Sequence, residues 1–162
     1  MVYEDFIKEQ RSKREHVVRE FQNKTSSEET EFTYFPTDEK WRISAEIIKR
    51  KPKEGMNDHE IKFTRIGKIV FSIQNNEHNF NLFQSDQEPE GDNLYIYLKD
   101  GTSGKTSYGV GRFVKVIKEN DSYFVDFNLA FTPVCGHVST SACPWAQESS
   151  PVLIEAGEKA EK

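Results

Sequence analysis

Cysteine is scarce in this chain: only Cys135 and Cys143 occur among 162 residues. Two are too few for a disulfide framework. In a reducing compartment such residues are thiols or metal ligands. Long apolar runs are missing as well. Nothing approaches the roughly 18 consecutive apolar residues of a membrane-spanning helix. Positive charge is in deficit, with 22 Lys and Arg against 27 Asp and Glu, a net −5. That balance favours solubility and argues against a broad nucleic-acid surface. The opening MVYEDFIKEQ puts acids where a secretion signal needs an uninterrupted apolar core. A cytoplasmic location is therefore the expectation. No Ser-His-Asp order and no carboxylate pair stands out, and no cofactor is implied.

Aromatic residues are plentiful. Twelve Phe and six Tyr lift the aromatic share to 12%, and each brings a large apolar area to a core. The length suits a single domain, residues 1–162. Residues 2–22 read as a helix. Tyr3, Phe6, Ile7, Val17, Val18 and Phe21 fall near one stripe, which Gln10 and Arg14 interrupt. Asn23–Thr30 is polar and reads as a loop.

From Phe32 the hydrophobic period becomes two. Trp41, Ile43, Ala45 and Ile47 alternate with polar residues, as do Ile61 and Phe63, then Ile69, Phe71 and Ile73. A turn at Asn75-Asn76-Glu77 and a return through Phe80 and Leu82 predict a hairpin. Lys49–Asp58 is charged and contains Pro52 and Gly55, so it reads as a connection; Ser85–Asp92 reads as a loop. Leu94–Leu98 predicts a further strand. Val110–Ile117 and Tyr123–Asn128 flank the turn Lys118–Asp121 as a second hairpin, and Val152–Ile154 adds a short strand. The β core runs over about residues 31–155, and the polar tail 156–162 is expected to fray. The fold class is mainly β: an antiparallel, barrel-like fold with a sandwich as the alternative, plus one N-terminal helix.

The polar stretch from Asp100 to Cys143 holds the candidate chemistry. Gly104-Lys105-Thr106 resembles the end of a phosphate-binding loop, but Lys99 stands where that motif needs glycine, and a strand follows where it needs a helix. A turn is the better reading. Gly109 and Gly111 bare one face of a strand, for a bend or for a ligand. Asp126 and Asn128 share a strand face. An even-sum hairpin register sets Arg112 opposite one of them, within ion-pair distance of Asp126. That group is either a buried structural network or the polar end of a ligand pocket. Cys135, His137 and Cys143 offer three metal-ligand types at a spacing that fits no common zinc pattern. Free thiols and a disulfide are the alternatives. His16, His59 and His78 read as surface residues.

Several of these residues are familiar together. Asp100-Gly-Thr-Ser-Gly-Lys-Thr-Ser-Tyr-Gly-Val-Gly-Arg-Phe113 resembles the signature of the family called domain of unknown function 1684. So do Asp126–Cys135, Cys143-Pro144, Ile154–Lys159, Tyr34-Phe-Pro36 and Trp41-Arg42. The resemblance points to Asp100, Thr102, Tyr108, Gly111, Arg112, Asp126, Asn128, Cys135 and Cys143. It implies no settled activity, and some members of the family are exported. Ser107 stands where threonine is usual, His137 where an aromatic is usual, and Trp145-Ala-Gln-Glu-Ser replaces a Leu-Pro-Pro run. The resemblance also puts both cysteines in one packed element, at a Cα separation of about 4.4–6.8 Å that permits a disulfide. Thiols are expected in the cell.

Three functional readings follow. The first is a module binding a small polar or anionic ligand through Asp100, Thr102, Tyr108, Arg112, Asp126 and Asn128, with Arg112 as anchor. The second is an enzyme using Arg112, Asp126 and Tyr108. The third is a scaffold that binds a protein. Nucleic acid and membrane are not expected partners, and the sequence leaves the oligomeric state open.

Overall fold

The computed structural model describes residues 2–25, 31–87, 93–138 and 142–160. Helix α1 is Tyr3–Thr25. Glu4 and Asp5 in its first turn complement the positive end of the helix dipole. Ile7 and Val18 are sealed from solvent on its inner side.

The strands are β1 (Thr33–Tyr34), β2 (Arg42–Asp58), β3 (Ile61–Ile73), β4 (Asn76–Ser85), β5 (Leu94–Lys99), β6 (Arg112–Glu119), β7 (Ser122–Phe131), β8 (Glu148–Ser149) and β9 (Glu158–Lys159). Strands β2 to β7 pair in the order β4-β3-β2-β7-β6-β5, and β4 also pairs with β5, so the hydrogen bonds run in a ring. Every pairing within the ring is antiparallel. The mainly β, barrel-like expectation is met.

Three stretches differ from the sequence reading. Residues 49–58 are strand rather than connection, the outer half of β2. Most of them are exposed on both faces, so they carry no period-two signal. Pro52 falls where the pairing with β3 is interrupted, between Lys49 and Lys53, which is where a residue without an N–H is tolerated. The β3–β4 turn sits on Gln74 and Asn75, both at positive φ, one residue earlier than expected. Val152–Ile154 is not a strand, while residues 158–159, expected to fray, pair with β1.

Two cores result. Inside the ring, Ile69, Phe71, Phe80, Leu82, Ile96, Val114, Val125 and Phe127 pack together, joined by Val152, Ile154 and Ala156 from the C-terminal segment. Outside it, Phe63, Phe83, Tyr97, Phe113 and Phe131 pack with Val18 of α1. Phe63 and Ile69 have the same parity yet belong to different cores. The register shift between Arg65 and Gly67 turns the strand over between them.

The β6–β7 hairpin corrects the expected register. Next to the Asn120-Asp121 turn, Glu119 faces Ser122 and Val116 faces Val125, an odd sum. Val114 then faces Ala130, so Lys115 alone spans residues 126–129 of β7. That bulge leaves Asp126 and Asn128 without β6 partners while they keep the face opposite Val125 and Phe127.

Candidate functional site

Arg112 precedes Val114 and Val116 by two and four residues, so it shares their inward face. Its guanidinium is buried. Nη1 donates to the carbonyls of Ala156 (2.5 Å) and Glu158 (3.1 Å), and Nη2 to the carbonyl of Ile154 (3.1 Å) and to Asp100 Oδ2 (2.8 Å). Nε is buried with no partner among the described residues. The other oxygen of Asp100 accepts from the N–H and the hydroxyl of Thr102, both at 2.6 Å. Thr102 Oγ1 meets Ser107 Oγ at 2.7 Å. Asp100, Thr102, Ser107 and Arg112 are thus one buried network that ties the β5–β6 connection to the C-terminal segment. The expected Arg112–Asp126 ion pair is absent, because the odd-sum register beside the turn puts Arg112 on the face of Val116 and Val125 and leaves Asp126 on the other. Arg112 is no open anchor for a ligand, since four of its five donors are engaged inside the protein.

Asp126 and Asn128 form a second group, beneath the start of α1. The Tyr3 hydroxyl donates to Asp126 Oδ2 at 2.6 Å. Asn128 donates its backbone N–H (3.0 Å) and its amide (3.1 Å) to Asp126 Oδ1. The Asn128 amide also brackets the Asp38 backbone, accepting from its N–H at 3.1 Å and donating to its carbonyl at 2.8 Å. Burial raises the Asp126 carboxyl above its ordinary range, against the pull of Tyr3 and Asn128. Burial and the neighbouring Asp126 likewise push the Tyr3 hydroxyl up.

Tyr108 belongs to a third group. Its hydroxyl lies 3.4 Å from Cys143 Sγ. Cys135 and Cys143 are joined as a disulfide with a Cα separation of 5.4 Å, within the expected span. The expectation of free thiols gives way to this bond, which also takes both sulfurs out of any metal set. His137 points elsewhere and meets Glu158 Oε2 at 2.9 Å. Glu158 in turn accepts from the Thr132 N–H. Asp58 accepts the N–H groups of Val134 and Cys135 and fixes the turn that carries the disulfide. His78, expected at the surface, is buried instead. It stacks on Phe71 and bonds Ser150 Oγ at 2.8 Å.

Gly111 adopts φ +134, and a Cβ there would lie 2.7 Å from Ala146 Cβ. The bare face that Gly109 and Gly111 suggested is therefore covered at Gly111 by the chain's own 144–148 segment. Gly104-Lys105-Thr106 lies in a tight turn with Gly104 at φ +81, and no helix follows it.

Three surface clefts formed by the described residues stand out, and two carry features the sequence did not single out. The first lies between α1 and strands β5–β7, with about 60 Å³ of space. Arg11, Lys13, Arg14 and Lys115 line it together with Tyr34, Tyr95 and Phe131, and no carboxylate lines it among the described residues. Arg11 donates to the Asn128 carbonyl and lies over the Tyr34 ring at 4.2 Å. Arg14 donates to the Thr132 carbonyl, lies over the Phe131 ring at 3.8 Å and sits 3.9 Å from Asp58. Its Nε is buried without a partner among the described residues. Burial lowers the pKa of both guanidiniums. The one sequence signal for this cleft was the break that Gln10 and Arg14 make in the helix stripe. The second cleft, of about 240 Å³, runs beside Trp145. The third, of about 440 Å³, lies beside Tyr3, and its charges, Glu39 and Glu119 against Arg42 and Lys118, cancel.

The family described as "Protein of unknown function (DUF1684)" matches residues 27–159, and the chain belongs to it. The fold is similar to that of an uncharacterized protein of Haloarcula marismortui, determined by NMR in solution. The two are 21% identical with a TM-score of 0.59, over 78% of this chain and 75% of that one. A likeness at that identity speaks to the fold alone. No curated protein matches the chain.

Proposed function

We propose that this member of the family is a binding module that takes a small organic anion in the cleft beneath α1. The observation that carries the reading is four cationic side chains, Arg11, Lys13, Arg14 and Lys115, around one small cleft with no carboxylate in its described lining. Such a cleft with apolar walls concentrates positive potential. Its space of about 60 Å³ equals roughly two water volumes, at about 30 Å³ each. That suits a carboxylate head group, with the rest of the ligand outside. Arg11 and Arg14 are held by backbone carbonyls and rings, so they are set in place before a ligand arrives.

Binding is favoured over catalysis because Asp126, the carboxylate raised by burial, lines none of the three clefts. A perturbed carboxylate open to a cleft is what an acid–base site needs. Arg112, Asp126 and Tyr108 also bond to different partners, which disfavours the enzyme built on that trio. The Cys135–Cys143 disulfide supports an oxidising compartment over the cytoplasm.

Titration with sodium benzoate, acetate and citrate at low ionic strength, followed by amide NMR shifts, tests the reading. Saturable shifts around Lys13 and Lys115 are expected, weakening several-fold in Lys13→Ala and Lys115→Ala and as salt rises. Shifts that neither variant nor salt alters would overturn it.

A further inference from the structure

We propose that the groove beside Trp145 is a second site, separate from the anion cleft, and that it binds a neutral saccharide. Trp145 is 66% exposed, unusual for so large an apolar side chain. It lines a groove of about 240 Å³ together with Phe83, Tyr97 and Pro144. The segment that carries it is pinned. Tyr97 donates its hydroxyl to the Pro144 carbonyl at 2.6 Å, and the Ala146 N–H donates to the Val110 carbonyl at 3.0 Å. The indole is therefore an exposed aromatic platform on a fixed backbone, not the tip of a free loop.

The polar lining decides the ligand class. Lys53 and Arg65 stand against Glu54 and Glu148, and the amides of Asn81 and Gln147 complete the set. Two cations and two carboxylates balance within the lining itself, and Lys99 Nζ lies over the Trp145 ring at 5.2 Å, so the groove presents mixed charge rather than a cluster of one sign. Hydroxyl groups are both donors and acceptors, and a lining that mixes guanidinium, amide and carboxylate serves both roles. Glu148 accepts the Asn81 N–H at both oxygens, at 2.9 and 3.0 Å, and a carboxylate retains further lone pairs beyond those two. Arg65 donates Nη2 to the Lys51 carbonyl at 3.0 Å, whereas its Nε is buried without a partner among the described residues. The aromatic face supplies what a sugar ring needs for its apolar C–H side, and the surrounding polar groups supply its hydroxyls. At about 30 Å³ per water the groove holds roughly eight waters, room for one pyranose ring.

The chain has two tryptophans, and the other, Trp41, is 6% exposed in the inner core. Both indoles emit, but Trp41 is shielded, so an emission change that depends on Trp145 reports on this groove. The experiment titrates the intact protein with glucose, galactose, mannose, N-acetylglucosamine, maltose and cellobiose and follows tryptophan emission. At least one sugar is expected to give a saturable emission change, with reduced quenching by acrylamide. The change should vanish in Trp145→Ala and weaken several-fold in Gln147→Ala, both with unchanged melting temperatures. Because Trp145 is largely exposed, its replacement leaves the core intact. No response to any sugar up to about 50 mM, well past the millimolar range of weak binding, overturns the proposal. So does a response that persists in Trp145→Ala, or one given by phenol and by no sugar. Loss of anion binding in Lys13→Ala leaves these outcomes unaffected, so the two sites stand or fall separately.

Discussion

Arg112 donates to Asp100 at 2.8 Å with both side chains only 2% exposed. The pair lies where β5 leads into the turn before β6, and through Arg112 it holds three carbonyls of the C-terminal segment. That segment delivers Val152, Ile154 and Ala156 to the inner core. A charge pair in such a place gains its attraction at the cost of desolvation, and it becomes a liability once one member is removed.

Arg112→Met and Asp100→Ala are each expected to cost about 3–5 kcal/mol in urea unfolding, as for other buried pairs broken on one side. The double variant should cost less than the two single losses together, because it removes the stranded charge that each single leaves behind. Additive losses would show that the two residues act independently.

The disulfide between Cys135 and Cys143 closes a short loop, with a sequence separation of 8. A loop of that size restricts the unfolded chain by about 2–3 kcal/mol in the chain-entropy account. Protein unfolded without reductant and alkylated rapidly should show no free thiol. Cys135→Ser with Cys143→Ser should lower the unfolding free energy by about that amount. Two thiols on titration would refute the bond and restore the cytoplasmic expectation.

Much of the ring was legible because its regular strands send alternate residues into the inner core, while residues such as Tyr95 and Tyr97 turn to the outer one. Leu94, Ile96 and Leu98 alternate cleanly for that reason. The outer half of β2 was not legible, since a strand exposed on both faces has no period to read. The signature residues Asp100, Thr102 and Arg112 were legible as a group. Their purpose was not, because Arg112 bonds mainly to backbone carbonyls, which any residue supplies. The bulge in β7 was invisible: Asp126 and Asn128 keep their alternation with Val125 and Phe127 while the partner strand slips past them. Gln10 and Arg14 did mark the cleft, as polar residues on a helix face that otherwise turns inward.

Burial lowers the pKa of His78 in the folded protein. A base with a depressed folded pKa is bound more tightly to its proton by the unfolded chain. Its contribution to stability is full above the ordinary value of 6.5 and is lost as the pH falls through the window between that value and the folded one. His78→Gln should lack this acid-side loss. Urea midpoints at several pH values between about 7.5 and 5, compared between the two proteins, measure it. Parallel curves would show that His78 does not titrate on unfolding.

Asp126 gives the opposite sign. Burial raises its folded carboxyl above the ordinary value of 3.8, although Tyr3 and Asn128 donate to it. Between 3.8 and the raised value the folded protein holds the proton that the unfolded chain releases. Stability from this group is therefore greatest below 3.8 and is lost as the pH rises through the folded value. Asp126→Asn removes the titration while keeping one carbonyl, which can accept either from Tyr3, as Oδ2 does now, or from the Asn128 N–H, as Oδ1 does now. Its side-chain NH2 is new, and it must face either the Tyr3 oxygen or the Asn128 amide, so a constant offset in stability is expected. The pH-dependent part is separate from that offset. The stability of the variant minus that of the natural protein should grow as the pH rises from acid to neutral. Other carboxylates titrate alike in both proteins and cancel in the difference. A difference that is flat across this range, or that shrinks toward neutral pH, would show that the hydrogen bonds from Tyr3 and Asn128 outweigh burial at Asp126.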